Sequence, residues 1–221
     1  MKTTQKNIRI LLVDDHKMLL HSLKEAIDQE LDLGVVALAE NGREAVKLAQ
    51  KYDPDIIIMD ISMPELNGIE AVRKIIKEKP QQKILTLSMH ADKHYIIGML
   101  RAGVSGYVLK TNAFEELACA IRQVAEGNFY VSPEITGVVI DTAINDANSS
   151  DTEEKEKELS SREVEVLQFI AEGKDNSYMA DKMGISKRTV EIHRQNLRKK
   201  LGIDTVAELT RYAVKRGIVS L

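Results

Sequence analysis

Asp14, Asp15, Asp60, Ser88 and Lys110 each close a short apolar run, in LLVDD, IIIMD, LTLS and YVLK. Three carboxylates brought within a few ångströms would repel one another and raise at least one pKa unless a cation sits among them. Oxygen donors with room for water suit Mg²⁺, a hard ion of octahedral preference that commonly bridges to phosphate oxygens. The Lys110 ammonium and the Ser88 hydroxyl favour a phosphoryl group over any apolar substrate. Asp60 is the expected nucleophile, since it precedes the loop ISMPELNG, whose Pro64, Asn67 and Gly68 hold the backbone open. A carboxylate can carry phosphate as an acyl phosphate. An isolated Asp after a strand more often caps a helix, and Asp15 is placed to do so; the joint occurrence at four strand ends argues for a site. His16 and His90 lack metal-ligand spacing and read as surface or packing residues, and Met59, Met63 and Met89 read as core or loop filling.

Positioning these groups is the task of a repeated unit. Between residues 8 and 126, a short β-type run followed by a helical period recurs five times: IRILLV, GVVALA, DIIIMD, KILTLS and GYVL. Strands so uniformly apolar are buried on both faces, which requires a parallel sheet covered by helices on each side. Five units are too few for an eight-stranded barrel, so the sheet is open and doubly wound, with its chemistry beyond the carboxyl ends of the strands. From Ile140 the pattern dissolves into NDANSSDTEEKEKE, which reads as linker. Helical period resumes at Leu159 in about four short helices punctuated by Gly173, Gly184, Gly202 and Gly217.

The composition is that of a soluble globular chain of one or two domains: 221 residues, 43% hydrophobic, 29% charged and no Trp. No run of 18 apolar residues occurs, and MKTTQKNIRI has no apolar signal region, so a cytoplasmic protein without a membrane span is expected. A single Cys excludes an intrachain disulfide framework and a thiolate zinc site; Cys119, inside FEELACAIRQV, is expected to pack in the core. Net charge divides unevenly: −1 over residues 1 to 132, −5 over 133 to 157 and +3 over 158 to 221. Only the last block is expected to meet a polyanion.

That block carries a second set of signals. Ser160 or Ser161 can cap a helix with Glu163 in its first turn, above an apolar face of Val164, Val166, Leu167 and Ile170. NSYMADKMGISKRTVEIHRQNLRKKLG then reads as helix, turn and helix, with Tyr178, Met179 and Met183 inward, Gly184 in the turn, Ser186 as cap, and Val190, Leu197 and Leu201 as the next stripe. Between Lys187 and Lys200 stand six basic residues against one acid, Glu191. A basic amphipathic helix alone is usually a solvated face, but the preceding helix and tight turn favour a recognition helix. In the last helix Val206, Leu209, Ala213 and Val214 can pack on their own domain or serve a two-fold dimer.

LLVDDH, MDISMPELNGIEA, LTLSMH and AGVSGYVLK in this order resemble the receiver domain of bacterial two-component response regulators. The resemblance implies a flavodoxin-like sheet of order 2-1-3-4-5 and phosphate transfer to Asp60 from a sensor histidine kinase. It implies that Asp14, Asp15, Asp60 and the backbone carbonyl of Ser62 hold Mg²⁺, that Ser88 and Tyr107 are switch residues turning toward the phosphoryl group, and that Lys110 pairs with it. From Leu159 to Val219, EGK, N, MA, GIS, TV, H, N, KLG and AELTRYAVKRGIV resemble the LuxR-type helix-turn-helix, which puts the chain in the NarL/FixJ class. That resemblance implies Glu191, Ile192 and Gln195 at base edges, Lys187, Arg188, Thr189, His193, Arg194, Asn196 and Lys199 mainly on the DNA backbone, and a homodimer reading paired half-sites. Many relatives carry Lys or another residue in place of Glu191, and Glu accepts from cytosine N4 while repelling phosphate. The expected division is a receiver over 1–130, an acidic linker over 131–157 and an all-α DNA-binding domain over 158–221. The unphosphorylated receiver is expected to cover the recognition helix or the dimer surface.

Two other classes compete with this non-enzymatic reading. A Mg²⁺-dependent phosphohydrolase would use similar acids, but the first strand ends in adjacent Asp14 and Asp15 rather than a DxD pair, and no cap insertion is evident. An RNA or protein-interaction module would need the basic helix to avoid duplex DNA. Nucleotide enzymes are weaker still, because neither GxGxxG nor GxxxxGK[ST] follows any strand.

Overall fold

A computed structural model describes residues 7–111, 114–148 and 159–219, with the backbone alone for 143–148. The N-terminal part alternates β1 (Ile8–Val13), α1 (Lys17–Asp28), β2 (Leu33–Ala39), α2 (Gly42–Tyr52), β3 (Ile56–Met59), α3 (Gly68–Glu78), β4 (Lys83–Ser88), α4 (Lys93–Ala102), β5 (Gly106–Leu109) and α5 (Phe114–Glu126). The strands form one parallel sheet of order β2-β1-β3-β4-β5, as expected, extended by a sixth strand, β6 (Tyr130–Val131), beside β5. Leu11, Ile57, Met59 and Tyr107 enter the core on one face of the sheet, and Ile10, Leu12, Ile58, Leu85 and Val108 enter that on the other. Burial on both faces is why these runs are apolar without alternation.

After β6 the chain differs from the expected linker. Residues Pro133–Asn148 form a helix, α6, that packs against α4. Proline at the first helical position is compatible with helix initiation, and Ile135, Val138 and Val139 join the core on the α4 side. Counting 133–157 as one acidic block concealed this helix: four of the seven acids lie at 151–156, beyond a largely apolar PEITGVVIDTAI. Of NDANSSDTEEKEKE, only residues 145–148 fall in the helix, and 149–158 lie outside the described residues.

The C-terminal part has α7 (Ser161–Ala171), α8 (Asn176–Met183), α9 (Lys187–Leu201) and α10 (Val206–Lys215) around a separate core of Val166, Leu167, Phe169, Met179, Val190, Leu197, Leu209 and Ala213. Ser160 and Glu163 form a reciprocal capping box at α7. Gly184 takes a left-handed φ of 64° in the turn between α8 and α9, a conformation that costs a residue with a side chain but not glycine. Tyr178, expected inward, is only half-buried because its hydroxyl reaches the other domain, and Val206 is exposed. Cys119 is likewise exposed, on the outer face of α5, because Leu117, Ala118, Ala120 and Ile121 take the buried positions around it. No helix among the described residues is long and apolar enough to cross a membrane.

Candidate functional site

The sheet order reverses between β1 and β3, so the crevice at their carboxyl ends gathers the strand-end residues. Asp14 and Asp60 are buried there, and Ser88 is fully buried. Lys110 extends across the rim, its Nζ 2.6 Å from Asp14 Oδ2 and 3.1 Å from Asp60 Oδ1. Asp15 does not cap the first helix, as the isolated-residue reading allowed: the cap position of α1 is His16, whose side chain makes no capping bond. One ligand atom from each of Asp14, Asp15, His16 and Asp60 can be chosen so that all lie within 4.8 Å of one another.

Electrostatics explain why a cation fits. Burial and the nearby Asp14 charge push the Asp60 carboxyl up to about 6, against the opposing pull of Lys110. Three carboxylates nevertheless share this corner with one ammonium, so a further cation would offset the excess negative charge. A buried Asp15 oxygen lies 2.9 Å from His16 Nδ1 yet makes no hydrogen bond. Hard oxygen donors with one oxygen left unsatisfied fit Mg²⁺.

The expected switch residues surround this crevice. Tyr107 is fully buried and its hydroxyl donates to the His90 carbonyl at 2.7 Å. The His90 backbone amide donates to Ser88 Oγ at 3.2 Å, while its ring stacks on Tyr95 with centroids 4.1 Å apart and lies 2.9 Å from Ser62 Oγ. His16 is an exposed surface residue and His90 a packing residue against Tyr95, both beside the rim. Gly68 brings α3 against the Asp60 backbone: a Cβ there would lie 2.0 Å from the Asp60 carbonyl oxygen.

In the second domain the basic helix α9 is capped by Ser186, whose side chain accepts from the Thr189 amide at 3.1 Å. Lys187, Arg188, Glu191, Ile192, Gln195, Asn196 and Lys199 are exposed; Thr189, His193 and Arg194 are partly buried. Burial and neighbouring Arg198 hold the Arg194 pKa below its usual value, and the guanidinium donates to Asn176 Oδ1 at 2.9 Å.

The two domains touch through a different surface, which sequence reasoning missed. Glu165 of α7, completely buried, pairs with Arg43 of α2 and with Lys74 of α3, the latter at 3.2 Å. In the loop after β3, Glu65 takes a left-handed φ of 67°; its amide donates to Glu172 at 3.2 Å, while its carboxylate accepts from Tyr178 at 2.7 Å and pairs with Lys182 at 2.5 Å. Burial raises the Glu65 pKa, but Lys182 and Tyr178 outweigh it and hold the carboxyl low; Glu172 is pushed upward mainly by burial. At the end of the chain, Gly217 abuts the Tyr95 ring and the Ile218 carbonyl accepts from the Asn67 amide side chain at 3.3 Å. These contacts are carried by α7, α8 and the segment after α10 rather than by the charged residues of α9. Residues separated by about a hundred positions meet here only through packing of two domains, which no local pattern signals.

Comparison with known proteins gives this geometry its context. Residues 10–122 match the family described as response regulator receiver domain, and residues 157–213 match the bacterial regulatory proteins of the luxR family. The chain is 34% identical to the transcriptional regulatory protein DegU of Brevibacillus brevis, over 100% of this chain and 98% of that protein. It is 36% identical to the oxygen regulatory protein NreC of Staphylococcus aureus, over 96% of this chain and 99% of that one. A solved structure of RcsB from Salmonella enterica serovar Typhimurium, bound to promoter rprA in the presence of the phosphomimetic BeF₃⁻, shares the fold with a TM-score of 0.59 at 24% identity, covering 94% of this chain and 98% of that one. With its acid-rimmed parallel sheet and its capped basic helix, the chain belongs to the two-component response regulators of the NarL/FixJ class, a receiver domain joined to a LuxR-type helix-turn-helix.

Proposed function

We propose that this protein is a cytoplasmic transcription regulator switched by transfer of a phosphoryl group from a sensor histidine kinase to Asp60. A carboxylate oxygen of Asp60 forms the new bond to phosphorus as the donor's phosphorus–nitrogen bond breaks, leaving an acyl phosphate on the protein and the imidazole on the kinase. Asp14, Asp15, Asp60 and the backbone carbonyl of Ser62 would hold Mg²⁺. The ion supplies positive charge that offsets the crowded acids and the incoming phosphoryl oxygens. Lys110, now shared between Asp14 and Asp60, is positioned to pair with the phosphoryl group. Ser88 bonds its oxygen, and Tyr107 follows by exchanging its hydrogen bond to His90.

Downstream, Glu191, Ile192 and Gln195 read base edges while Lys187, Arg188, Thr189, His193, Arg194, Asn196 and Lys199 hold the DNA backbone, with two chains on paired half-sites. Receiver function resides in residues 1–130 and DNA binding in 158–221; α6 makes the intervening 131–157 partly an extension of the receiver. Phosphorylation acts by shifting the population of docked chains, which requires differential contacts in the two states and only a few kcal/mol. The observation carrying this reading is the Lys110-bridged pair of buried carboxylates at the reversal point of the sheet. Footprinting of the full chain with and without acetyl phosphate and Mg²⁺ tests it. Paired protections that strengthen with phosphodonor, and do not strengthen in Asp60→Asn, are expected; equal protection in both proteins would overturn it.

A further inference from the structure

The loop that begins at Asp60 is gripped from outside by one side chain. Gln168 on α7 is buried, and its amide uses its hydrogens and oxygen on three partners. Nε2 donates to the Met63 carbonyl at 2.9 Å and to Glu172 Oε1 at 2.8 Å, while Oε1 accepts from the Asn67 backbone amide at 2.9 Å. Met63 and Asn67 flank the loop's tip, and Met63 is three residues from Asp60. Asn67 also caps α3, its side-chain oxygen accepting from the Glu70 amide at 3.0 Å. Both sides of the loop's tip are therefore tied to the DNA-binding domain through a buried amide, and the left-handed Glu65 between them is held by Glu172, Tyr178 and Lys182.

A buried amide with every group paired is sensitive to small shifts. Moving one partner away leaves a desolvated donor or acceptor, a cost larger than the net worth of the bond when made. The outer contacts differ, since Lys182 and Arg43 end in flexible chains that follow a moving partner. Resting on the assignment of Asp60 as phosphoacceptor, we propose that Gln168 is the positioning residue linking that site to the DNA-binding domain: its amide latches residues 63–67 in the docked chain, and displacement of this loop on phosphorylation releases the latch. Coupling of this kind is reciprocal, so docking also disfavours whatever occupies Asp60.

The test uses the full chain labelled for single-molecule FRET at Cys119, exposed on α5, and at Arg211→Cys, exposed on α10. Beryllofluoride with Mg²⁺ is the probe of the acceptor site. In the otherwise unaltered chain the probe should lower the ratio of docked to undocked molecules. Gln168→Met keeps the length of the side chain but strands the Met63 carbonyl and the Asn67 amide, and should lower that ratio on the order of 10-fold or more without any probe. It should also abolish the further effect of beryllofluoride and tighten beryllofluoride binding, followed by ¹⁹F NMR. Lys182→Ala should weaken docking less and keep the beryllofluoride effect. An unchanged docked ratio in Gln168→Met, or a beryllofluoride effect of full size there, would overturn the latch. Absence of an Asp60-dependent ¹⁹F signal in the unaltered chain would overturn the acceptor assignment instead, and the probe-free ratio of Gln168→Met would still decide whether the amide latches the domains.

Discussion

The acid rim of the receiver and the reading face of α9 are both built from charged residues, yet one is buried and internally paired while the other is open. On the rim, Lys110 already bridges Asp14 and Asp60 and little solvent reaches any of the three. On α9, Lys187, Arg188, Gln195 and Lys199 face solvent. The rim is preorganised, and changing one member alters the charge balance of its neighbours. The proposed reading face keeps its charged side chains in solvent, so its residues are expected to act nearly one by one. Substitutions should therefore be strongly coupled at the rim and close to additive on the helix.

The most severe break in the comparison is Asp60→Asn, which should eliminate labelling by acetyl phosphate, read as the loss of the phosphoryl mass increment in the intact protein. The same substitution should stabilise the metal-free protein above pH 6. The Asp60 carboxyl is raised to about 6 in the folded chain from 3.8, so the native state holds its proton more tightly than the unfolded state. The stability associated with that proton is present below about pH 4 and is lost as pH rises toward 6. Removing the group should recover up to about 3 kcal/mol at pH 7.5 and nothing near pH 3.5, measured by urea unfolding. Saturating Mg²⁺ should shrink the difference, because the cation offsets the same repulsion; a difference unaffected by Mg²⁺ would remove the acids from the metal site.

Smaller effects should mark the open face. Gln195→Ala should cost about 1–3 kcal/mol on the preferred half-site and relax the base preference at one position, by competition binding. Ser186→Ala, which deletes the cap of α9, should lower stability by about 1 kcal/mol without changing base preference. Lys199→Ala should weaken all duplexes alike and reduce the slope of log affinity against log salt by roughly 0.9. A sequence-dependent loss in Lys199→Ala would put that residue at a base edge instead.

How much of this was legible depended on whether the cause was local. Asp14, Asp60, Ser88 and Lys110 could be located because each ends an apolar strand, and parallel strands bring their carboxyl ends to one rim whatever the loops do. The caps at Ser160 and Ser186 followed from hydroxyl chemistry within one helical turn. By contrast, α6 was hidden because its apolar residues run on directly into the acidic stretch 151–156, so that no composition break marks the end of a helix. Cys119 was misplaced because an unbroken apolar run on α5 does not by itself say which member points outward. The pairing of Gln168 with Met63 and Asn67 had no signature at all, because an ordinary helical glutamine acquires its partners only from the angle at which two separate cores meet.

Gly68 ties these levels together. With hydrogen where any other residue carries carbon, the first turn of α3 rests directly on the Asp60 peptide. An alanine there would act as a wedge, prising the helix from the strand and dragging the Asn67 amide out of register with the neighbouring domain. The fidelity of the proposed signal thus hangs on a missing methyl, and responsiveness should be lost by substitution at a position with no charge and no titratable side chain.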